Sequence, residues 1–346
     1  MKLFGRSWTR DELEARVGRI EQLGGIRRVR LEEGVETGTE QIWVRTGAGL
    51  AYAVTPSKGM DISLAAFGDV PISWQSPNGD AHPAYYDSRE AEWVRTASGG
   101  LLMTCGLTQV GSPGADKEGS YGQHGRAHHI PARQVSAVSD WVQDEYRMEV
   151  RGVVEETSIF GDCLRLKRVI RSRLGDNRIQ ITDEVENMGF REAPFMLLYH
   201  FNFGFPLLDE GTRIVFPEGP VRPREPGTPI DGMDTWQQPD PLFQERVYYR
   251  RPEPDGQGWA RVRIEQPAFP QAGGGTFPLT VELGWHTGTL PNLIQWKMAG
   301  AGEHVLGIEP SNCFVKGRAA EREKGSLVRL APREKVQTEL YVEIRR

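Results

Sequence analysis

The sequence predicts an all-β protein, a large antiparallel β-sandwich preceded by a short N-terminal helix. Three observations support this fold class. The 346 residues include 40 glycines and 23 prolines at short intervals, most segments alternate apolar with polar residues, and helical periodicity is confined to the beginning of the chain. Turn-forming residues between short alternating segments are typical of antiparallel strands.

The helical pattern lies within residues 1–24. Thr9 or Asp11 could cap a helix there, because short polar side chains accept hydrogen bonds from the first free amides of a helix. Its apolar stripe would consist of Leu13, Val17, Ile20 and Leu23. We therefore expect residues 1–24 to form a helical segment and residues 25–346 to form a single β-sandwich domain.

Alternation of apolar and polar residues, the mark of a strand with one buried face, is strict in several places. Its apolar positions are Tyr146, Met148 and Val150; Ile179, Ile181 and Val185; Ala260, Val262 and Ile264; and Leu340, Val342 and Ile344. Turn signals at 160–162 and 174–177 separate three such segments between Gln143 and Asn187. This order predicts an antiparallel meander.

No crossover helices are available to cover the sheet, so its apolar face must pack on another sheet. A sandwich follows, with a closed barrel as the alternative. The stretch from Phe216 to Pro241 is rich in proline and glycine and shows little alternation. We expect it to be a long ordered loop lying over the sheet, and such loops are often functional.

Composition excludes some functions. Lys plus Arg number 42 and Asp plus Glu 47, with both signs scattered along the chain, whereas nucleic-acid binding needs a concentrated cationic surface. The beginning of the chain lacks the apolar core of a signal peptide, and no stretch reaches the roughly 20 apolar residues of a membrane span. Three widely spaced cysteines (Cys105, Cys163 and Cys313) indicate reduced thiols. We expect a cytoplasmic protein without nucleic-acid or membrane partners; a homodimer is compatible with the sequence.

A histidine cluster at 124–129 is the first candidate site. His124, His128 and His129 could bind a metal, or His124 and Arg126 could contact sugar hydroxyls, and Arg126 could contact a substrate oxyanion. In a strand, His124 and His128 would lie about 13 Å apart, too far for one ion. We therefore expect no metal here, and metal stays the alternative interpretation of the cluster.

The second candidate is the aromatic strand around His200. His200 and Asn202 alternate with apolar residues and should share one face. Burying both without partners would cost about 1–3 kcal/mol per group, which a ligand-facing role would remove. The alternative is a core histidine bonded to a backbone carbonyl.

The third candidate is Glu309, which follows an apolar strand and precedes a proline, with Asn312 shortly after. We expect the neighbouring strand to carry Gln295, Trp296 and Lys297, a combination suited to a sugar because the indole can cover the ring face while polar groups bind hydroxyls. By itself Glu309 could also be a solvated edge charge.

Two further charged residues are candidates for substrate binding. Arg95 precedes Gly99-Gly100, and Asp61 ends the string Lys58-Gly59-Met60-Asp61. Each has a structural alternative as an ion-paired or solvated charge.

Taken in order, these motifs resemble the aldose 1-epimerase (galactose mutarotase-like) superfamily: a His-Gly with a nearby Arg, an aromatic strand with His and Asn, and a late Glu-Pro. The strings at 99–107 (GGLLMTCGL), 124–126 (HGR) and 198–204 (LYHFNFG) are similar to a functionally uncharacterised bacterial branch of it. The resemblance covers nearly the whole chain after the N-terminal segment.

The resemblance implies a large antiparallel sandwich with a sugar on its concave face. It implies an isomerase that interconverts anomers without a cofactor, in which Glu309 is the base, His200 the acid and His124 lies near the ring oxygen. The chain departs from classical members at Gln123, in the short spacing of His200 and Asn202, and at Ser311, which leaves the sugar open. The alternatives are a non-catalytic sugar-binding or regulatory module, and an epimerase or lyase of acidic or oxidised sugars.

Overall fold

The structure, a computed structural model, describes residues 1–346, and its regular secondary structure consists mainly of strands. In chain order the strands are β1 (Lys2–Leu3), β2 (Arg6–Ser7), β3 (Gly25–Arg30), β4 (Glu40–Arg45), β5 (Leu50–Thr55), β6 (Asp61–Phe67), β7 (Val70–Pro71), β8 (Leu102–Leu107), β9 (Gly114–Asp116), β10 (Gly119–Tyr121), β11 (Arg133–Val142), β12 (Glu145–Thr157) and β13 (Cys163–Arg173). They continue with β14 (Arg178–Asn187), β15 (Ala193–Pro194), β16 (Met196–Gly204), β17 (Arg213–Val215), β18 (Val221–Pro223), β19 (Arg246–Arg250), β20 (Trp259–Pro270), β21 (Thr276–His286), β22 (Asn292–Ala299), β23 (His304–Ser311), β24 (Arg329–Leu330) and β25 (Lys335–Arg345).

Helices are few and short. The α-helices are α1 (Arg10–Glu14) and α2 (Arg318–Glu323), and single 3-10 turns cover Ile20–Gln22, Gly34–Glu36, Pro83–Tyr85, Glu92–Arg95 and Ala127–His129. Thr9 caps α1 as predicted, since its hydroxyl accepts from the amide of Glu12. The predicted helix is too long, because α1 ends at Glu14. The β-branched residue Val17 and the glycine at position 18 follow, and both disfavour helix. None of the helices has the length and apolar character needed to cross a membrane.

Two large sheets form the body of the protein, and each neighbouring pair of their strands is antiparallel. One sheet has eight strands in the order β11-β12-β13-β14-β25-β21-β20-β17. The other has eleven, in the order β18-β19-β22-β23-β16-β8-β6-β5-β4-β3 with β7 beside β6. The predicted meander is confirmed as β12, β13 and β14, and the sandwich is confirmed over the closed barrel.

The main core lies between the two sheets and contains 54 buried apolar residues. The predicted alternation is confirmed in β12, where Tyr146, Met148 and Val150 are buried and Arg147 and Arg151 are exposed. The central strand β16 is buried at every position. Its alternate residues Leu197, Tyr199, Phe201 and Phe203 belong to this core.

The opposite face of β16 is also covered, by loops. Met196 and Leu198 pack there in a second apolar cluster with Trp93 and Val247. A strand covered on both faces reads as a continuous apolar run, which explains the sequence around His200. This loop-covered face of the eleven-stranded sheet forms the floor of the candidate site.

The segment between Phe216 and Pro241 is an ordered loop, as predicted, with only β18 as regular structure. Buried Lys297 of β22 fixes it: Nζ donates to the carbonyls of Gly232 at 2.7 Å and Thr235 at 2.8 Å. The loop therefore lies against the eleven-stranded sheet.

Candidate functional site

A cleft of about 810 Å³ opens on the loop-covered face of the eleven-stranded sheet. His124, His200 and Glu309 all line it. The floor comes from the neighbouring strands β16, β22 and β23, and the walls come from loops. The cleft thus brings together three residues that are far apart in the sequence.

The central feature of the cleft is the pair formed by His200 and Glu309. In the ladder between β16 and β23, Phe201 lies opposite Ile308. The adjacent residues His200 and Glu309 therefore also lie opposite each other, and their side chains emerge side by side on the cleft face. Nε2 of His200 is 3.2 Å from Oε1 of Glu309. The two groups are not aligned for a hydrogen bond, and Oε1 is buried without a partner. Each atom is therefore available to a ligand.

His124 reaches the same cleft from a turn whose backbone is held rigidly. Its φ of 55° is in the left-handed region, which costs about 1–2 kcal/mol for a residue with a side chain. Its amide donates to Gly111 and its carbonyl accepts from Gly106. The imidazole lies 4.9 Å from the ring of Trp93 and 5.8 Å from the ring of His200, centroid to centroid.

The electrostatics of the cleft favour neutral forms of all three groups. Burial raises the pKa of Glu309 well above its usual value, and the negative charge of Glu245 adds to the effect, while Arg224 opposes it. Burial, with a smaller contribution from His124, lowers the pKa of His200 to about 3. Burial lowers the pKa of His124 to about 4. Strongly perturbed groups that share a cleft are typical of functional sites.

Tryptophans provide the apolar surface of the cleft. The rings of Trp74 and Trp296 meet edge to face at 6.4 Å, and Trp296 lies 5.6 Å from the ring of His200. The indole nitrogen of Trp296 donates to Glu245 at 3.0 Å, and Arg224 donates to the same carboxylate at 2.7 Å. An indole face beside polar groups suits a sugar ring.

The sequence did not identify several of these cleft residues, namely Trp74, Trp93, Arg224 and Glu245. For Arg224 a signal existed, because it lies in the long loop that was predicted to be functional. For Trp74 and Trp93 none did, since only the folded chain brings them beside His124 and Trp296.

Gln295 and Lys297 do not line the cleft, although Trp296 between them does. Side chains alternate along a strand, so Gln295 and Lys297 of β22 point to the face opposite Trp296. There Gln295 donates to the carbonyl of Met233 at 2.6 Å, and Lys297 binds two further carbonyls of the same loop. Both side chains therefore hold the loop and point away from the cleft.

The two predicted asparagines also bond within the protein. Asn202 is fully buried beside His200, and its Nδ2 donates to the carbonyl of His200 at 3.0 Å. Asn312 joins neighbouring segments, accepting from the amide of Leu197 at 2.8 Å and donating to the carbonyl of Phe195 at 3.1 Å. Neither side chain lines the cleft.

The predicted arginines lie outside the cleft. Arg126 is exposed and lines a separate cavity of about 980 Å³. The left-handed residues His124 and Gly125 turn the chain, so His124 and Arg126 face different cavities. Arg95 is 75% exposed and pairs with Glu92 at 2.8 Å, in agreement with its structural alternative.

Asp61 is buried in a network that joins the two sheets. Its carboxylate accepts from Arg168 at 2.7 Å, from Nδ1 of His128 at 2.7 Å and from the hydroxyl of Thr104. Arg168 donates in turn to Asp183. The structure gives Asp61 these partners in place of a ligand.

The histidine cluster is divided among separate contacts. His128 binds Asp61, and Nε2 of His129 lies 2.9 Å from the hydroxyl of Thr96. His124 alone lines the cleft. No group of three or more His, Cys, Asp or Glu side chains is placed to hold a metal ion, so the metal interpretation of the cluster gains no ligand set.

The sequence and fold can now be compared with known proteins. The model of a family described as domain of unknown function (DUF4432) matches residues 36–344. No functionally curated protein matches the sequence.

Solved structures share the fold. A protein from Klebsiella pneumoniae subsp. pneumoniae, named as a candidate aldose 1-epimerase, has a TM-score of 0.84 at 23% identity, covering 92% of this chain and 83% of that chain. The galactose 1-epimerase from Lactobacillus acidophilus has a TM-score of 0.59 at 12% identity, covering 92% and 98%. A galactose mutarotase-like protein from Clostridium acetobutylicum has a TM-score of 0.57 at 14% identity, covering 93% and 99%. These likenesses confirm the predicted galactose mutarotase-like fold.

Proposed function

The chain belongs to the DUF4432 family, and we propose that it is an isomerase that interconverts the anomers of a sugar by acid–base catalysis. One observation carries the proposal: a carboxyl group and an imidazole lie 3.2 Å apart in a tryptophan-lined cleft. Mutarotation needs one proton acceptor and one proton donor at neighbouring positions, and this pair provides both.

In the proposed reaction, Glu309 accepts the proton of the anomeric hydroxyl and His200 donates a proton to the ring oxygen. The ring opens, the C1–C2 bond rotates, and closure on the other face of the carbonyl gives the other anomer. His124 lies beside His200 and contacts the ring oxygen region. The pair begins and ends with the same number of protons, so the cycle needs no cofactor.

The perturbed pKa values support these roles. A raised pKa makes the ionised form of Glu309 a stronger base, and a lowered pKa makes the protonated form of His200 a stronger acid. Burial in this cleft thus strengthens Glu309 as a base and His200 as an acid once a proton has moved from one to the other, and it makes this ionised pair the minor form of the resting site.

The charges of the cleft favour a neutral sugar. Arg224 pairs with Glu245 at 2.7 Å and with Glu225 at 3.2 Å, and Lys316 pairs with Glu225 at 3.6 Å. Both cations of the cleft therefore have carboxylate partners, and an acidic sugar would have to compete with these carboxylates. We therefore propose a neutral aldose as the substrate. We also propose a cytoplasmic location, as the sequence predicts.

The decisive experiment compares Glu309→Gln with wild type. Proton NMR on freshly dissolved anomers of neutral aldoses should show faster equilibration with wild type and a loss of about 10²–10⁴-fold in the variant. Calorimetry should show that the variant still binds sugar. Glu303→Gln is the control, because Glu303 also lines the cleft but is exposed at its wall.

Equal turnover in Glu309→Gln and wild type would contradict the assignment of the base. Binding of a sugar by wild type without any acceleration would instead support a non-catalytic sugar-binding module. Turnover of acidic sugars alone would favour an epimerase or lyase on the same scaffold.

A further inference from the structure

Two buried polar side-chain atoms of β16 have no hydrogen-bond partner. They are Nδ1 of His200 and Oδ1 of Asn202. Both residues project from the same face of β16, two positions apart, which is about 7 Å along the strand. Buried polar atoms in folded proteins are nearly always paired, so this coincidence calls for an explanation.

The contacts of the two side chains restrict how they can pair. Nδ2 of Asn202 is already used, because it donates to the carbonyl of His200 at 3.0 Å. Oδ1 is then the only atom of this amide that is free to accept a hydrogen bond. Glu309 occupies the Nε2 side of the imidazole at 3.2 Å, and the rings of His124 and Trp296 approach it edge to face. None of these groups provides an acceptor for Nδ1.

We propose that Asn202 is a positioning residue that fixes the tautomer of His200, with Nδ1–H donating to Oδ1 of Asn202 and the lone pair of Nε2 directed at Glu309. The partner of one imidazole nitrogen sets what the other can do. In the resting site the carboxyl of Glu309 carries the proton, and its transfer to Nε2 of His200 produces the carboxylate base and the imidazolium acid together.

This contact also influences how readily the imidazolium forms. Burial lowers the pKa of His200 to about 3 and His124 lowers it further, whereas the neighbouring side chain of Asn202 raises it. Asn202 therefore offsets part of the cost of charging His200. The kinetic effect of Asn202 rests on the proposed function, whereas the tautomer of His200 can be measured without any turnover.

The first test is the tautomer itself. In wild-type protein labelled with ¹⁵N at histidine, long-range ¹H–¹⁵N correlation spectra should show His200 protonated at Nδ1 and bare at Nε2, with His200→Gln assigning the signal. Asn202→Leu, which has a similar shape and no acceptor, should lose this preference. Protonation of His200 at Nε2 in wild type would overturn the proposal, whatever the enzymatic activity proves to be.

The second test is kinetic. In Asn202→Leu we expect kcat to fall about tenfold, equivalent to one pKa unit, with KM within about twofold. Asn202→Asp places a charged acceptor at the same position. His200 should then become protonated at higher pH while Glu309 still carries its proton, so the acidic limb of the pH profile should move to higher pH. The groups that face this pair, His124, Glu245 and Arg224, are unchanged in both variants.

Asn312→Leu is the control for a merely structural asparagine, because Asn312 bonds only to backbone atoms of Phe195 and Leu197. It should lower the free energy of unfolding without changing the tautomer or the pH profile. An Asn202→Leu variant with the same tautomer and pH profile as wild type would show that Asn202 has the same structural role, and the proposal would fail.

Discussion

A Cβ atom on Gly307 of β23 would lie 2.5 Å from Oε1 of Glu309. The same atom would lie 3.2 Å from Cε1 of His200 and 3.0 Å from Cβ of Trp296. Gly307 is therefore the position where the side chains of Glu309, His200 and Trp296 converge, and the absence of a side chain leaves room for all three. Its backbone φ is not in the left-handed region, so space alone requires glycine here.

We predict that Gly307→Ala strongly lowers anomerisation. The added methyl group would displace the carboxyl of Glu309 from His200, and a misplacement of about 1 Å can cost 10²-fold in rate. The measurement is equilibration of an anomer by NMR, together with thermal unfolding to check the fold. Gly256→Ala is the control, because no atom lies within 4 Å of its added Cβ. Full activity in Gly307→Ala would show that the pair does not need this geometry.

Asp61 gives a second prediction, on stability. Asp61→Ala removes the acceptor of Arg168, His128 and Thr104 and leaves Arg168 buried with Asp183 alone. Removing one partner of a buried pair typically costs about 3–5 kcal/mol, which urea unfolding would measure. Arg95→Ala, which breaks only an exposed pair, should change the free energy of unfolding by less than about 1 kcal/mol. Similar values for both variants would contradict a structural role of Asp61.

The fold could be predicted from the sequence because its signal is local. Period-two alternation in β12 and β14 requires only neighbouring residues, and it identified the meander correctly. The apolar stripe through Leu23 overstates the length of α1, because Val17 and Gly18 within it have poor helix propensity.

The site was harder to predict, for two different physical reasons. Strand alternation alone places Gln295 and Lys297 on the face opposite Trp296. The sequence is therefore sufficient to exclude those two residues from a site that contains Trp296. Arg126 could not be excluded in this way. The left-handed conformations of His124 and Gly125 turn the chain, and residue type alone does not predict them. Trp74 and Trp93 depend on loop packing between distant parts of the chain.

The separation of the two cavities gives a third prediction. Arg126→Ala should leave KM for a neutral sugar unchanged, because Arg126 lines the other cavity. Arg224→Ala should raise KM, since Arg224 holds Glu245, which in turn binds the indole of Trp296. Loss of a partly exposed ion pair of this kind costs up to about 1 kcal/mol, equivalent to a rise in KM of up to roughly fivefold. The opposite order of effects would place the sugar in the cavity of Arg126.

His129 gives the last prediction, on pH and stability. Its ring lies flat against Tyr86 at 4.0 Å, and its Nε2 bonds the hydroxyl of Thr96. Burial lowers the pKa of His129 well below its usual value of 6.5, and the positive charges of His128 and Lys58 add to this effect. The folded protein therefore holds this imidazole neutral at pH values where the unfolded chain protonates it.

The sign of the effect follows from this difference. The stability that neutral His129 contributes is fully present above pH 6.5 and is lost as the pH falls below it, because the unfolded state then binds more protons. His129→Phe keeps the stacking on Tyr86 but cannot titrate. The free energy of unfolding of wild type relative to this variant should decrease below pH 6.5 by up to about 1.4 kcal/mol per pH unit. Urea unfolding at pH 7.5, 6 and 5 measures this decrease. The free energy of unfolding of wild type relative to His129→Gln should fall with the same slope. A difference that stays constant over this range would mean that His129 ionises equally in the folded and unfolded states.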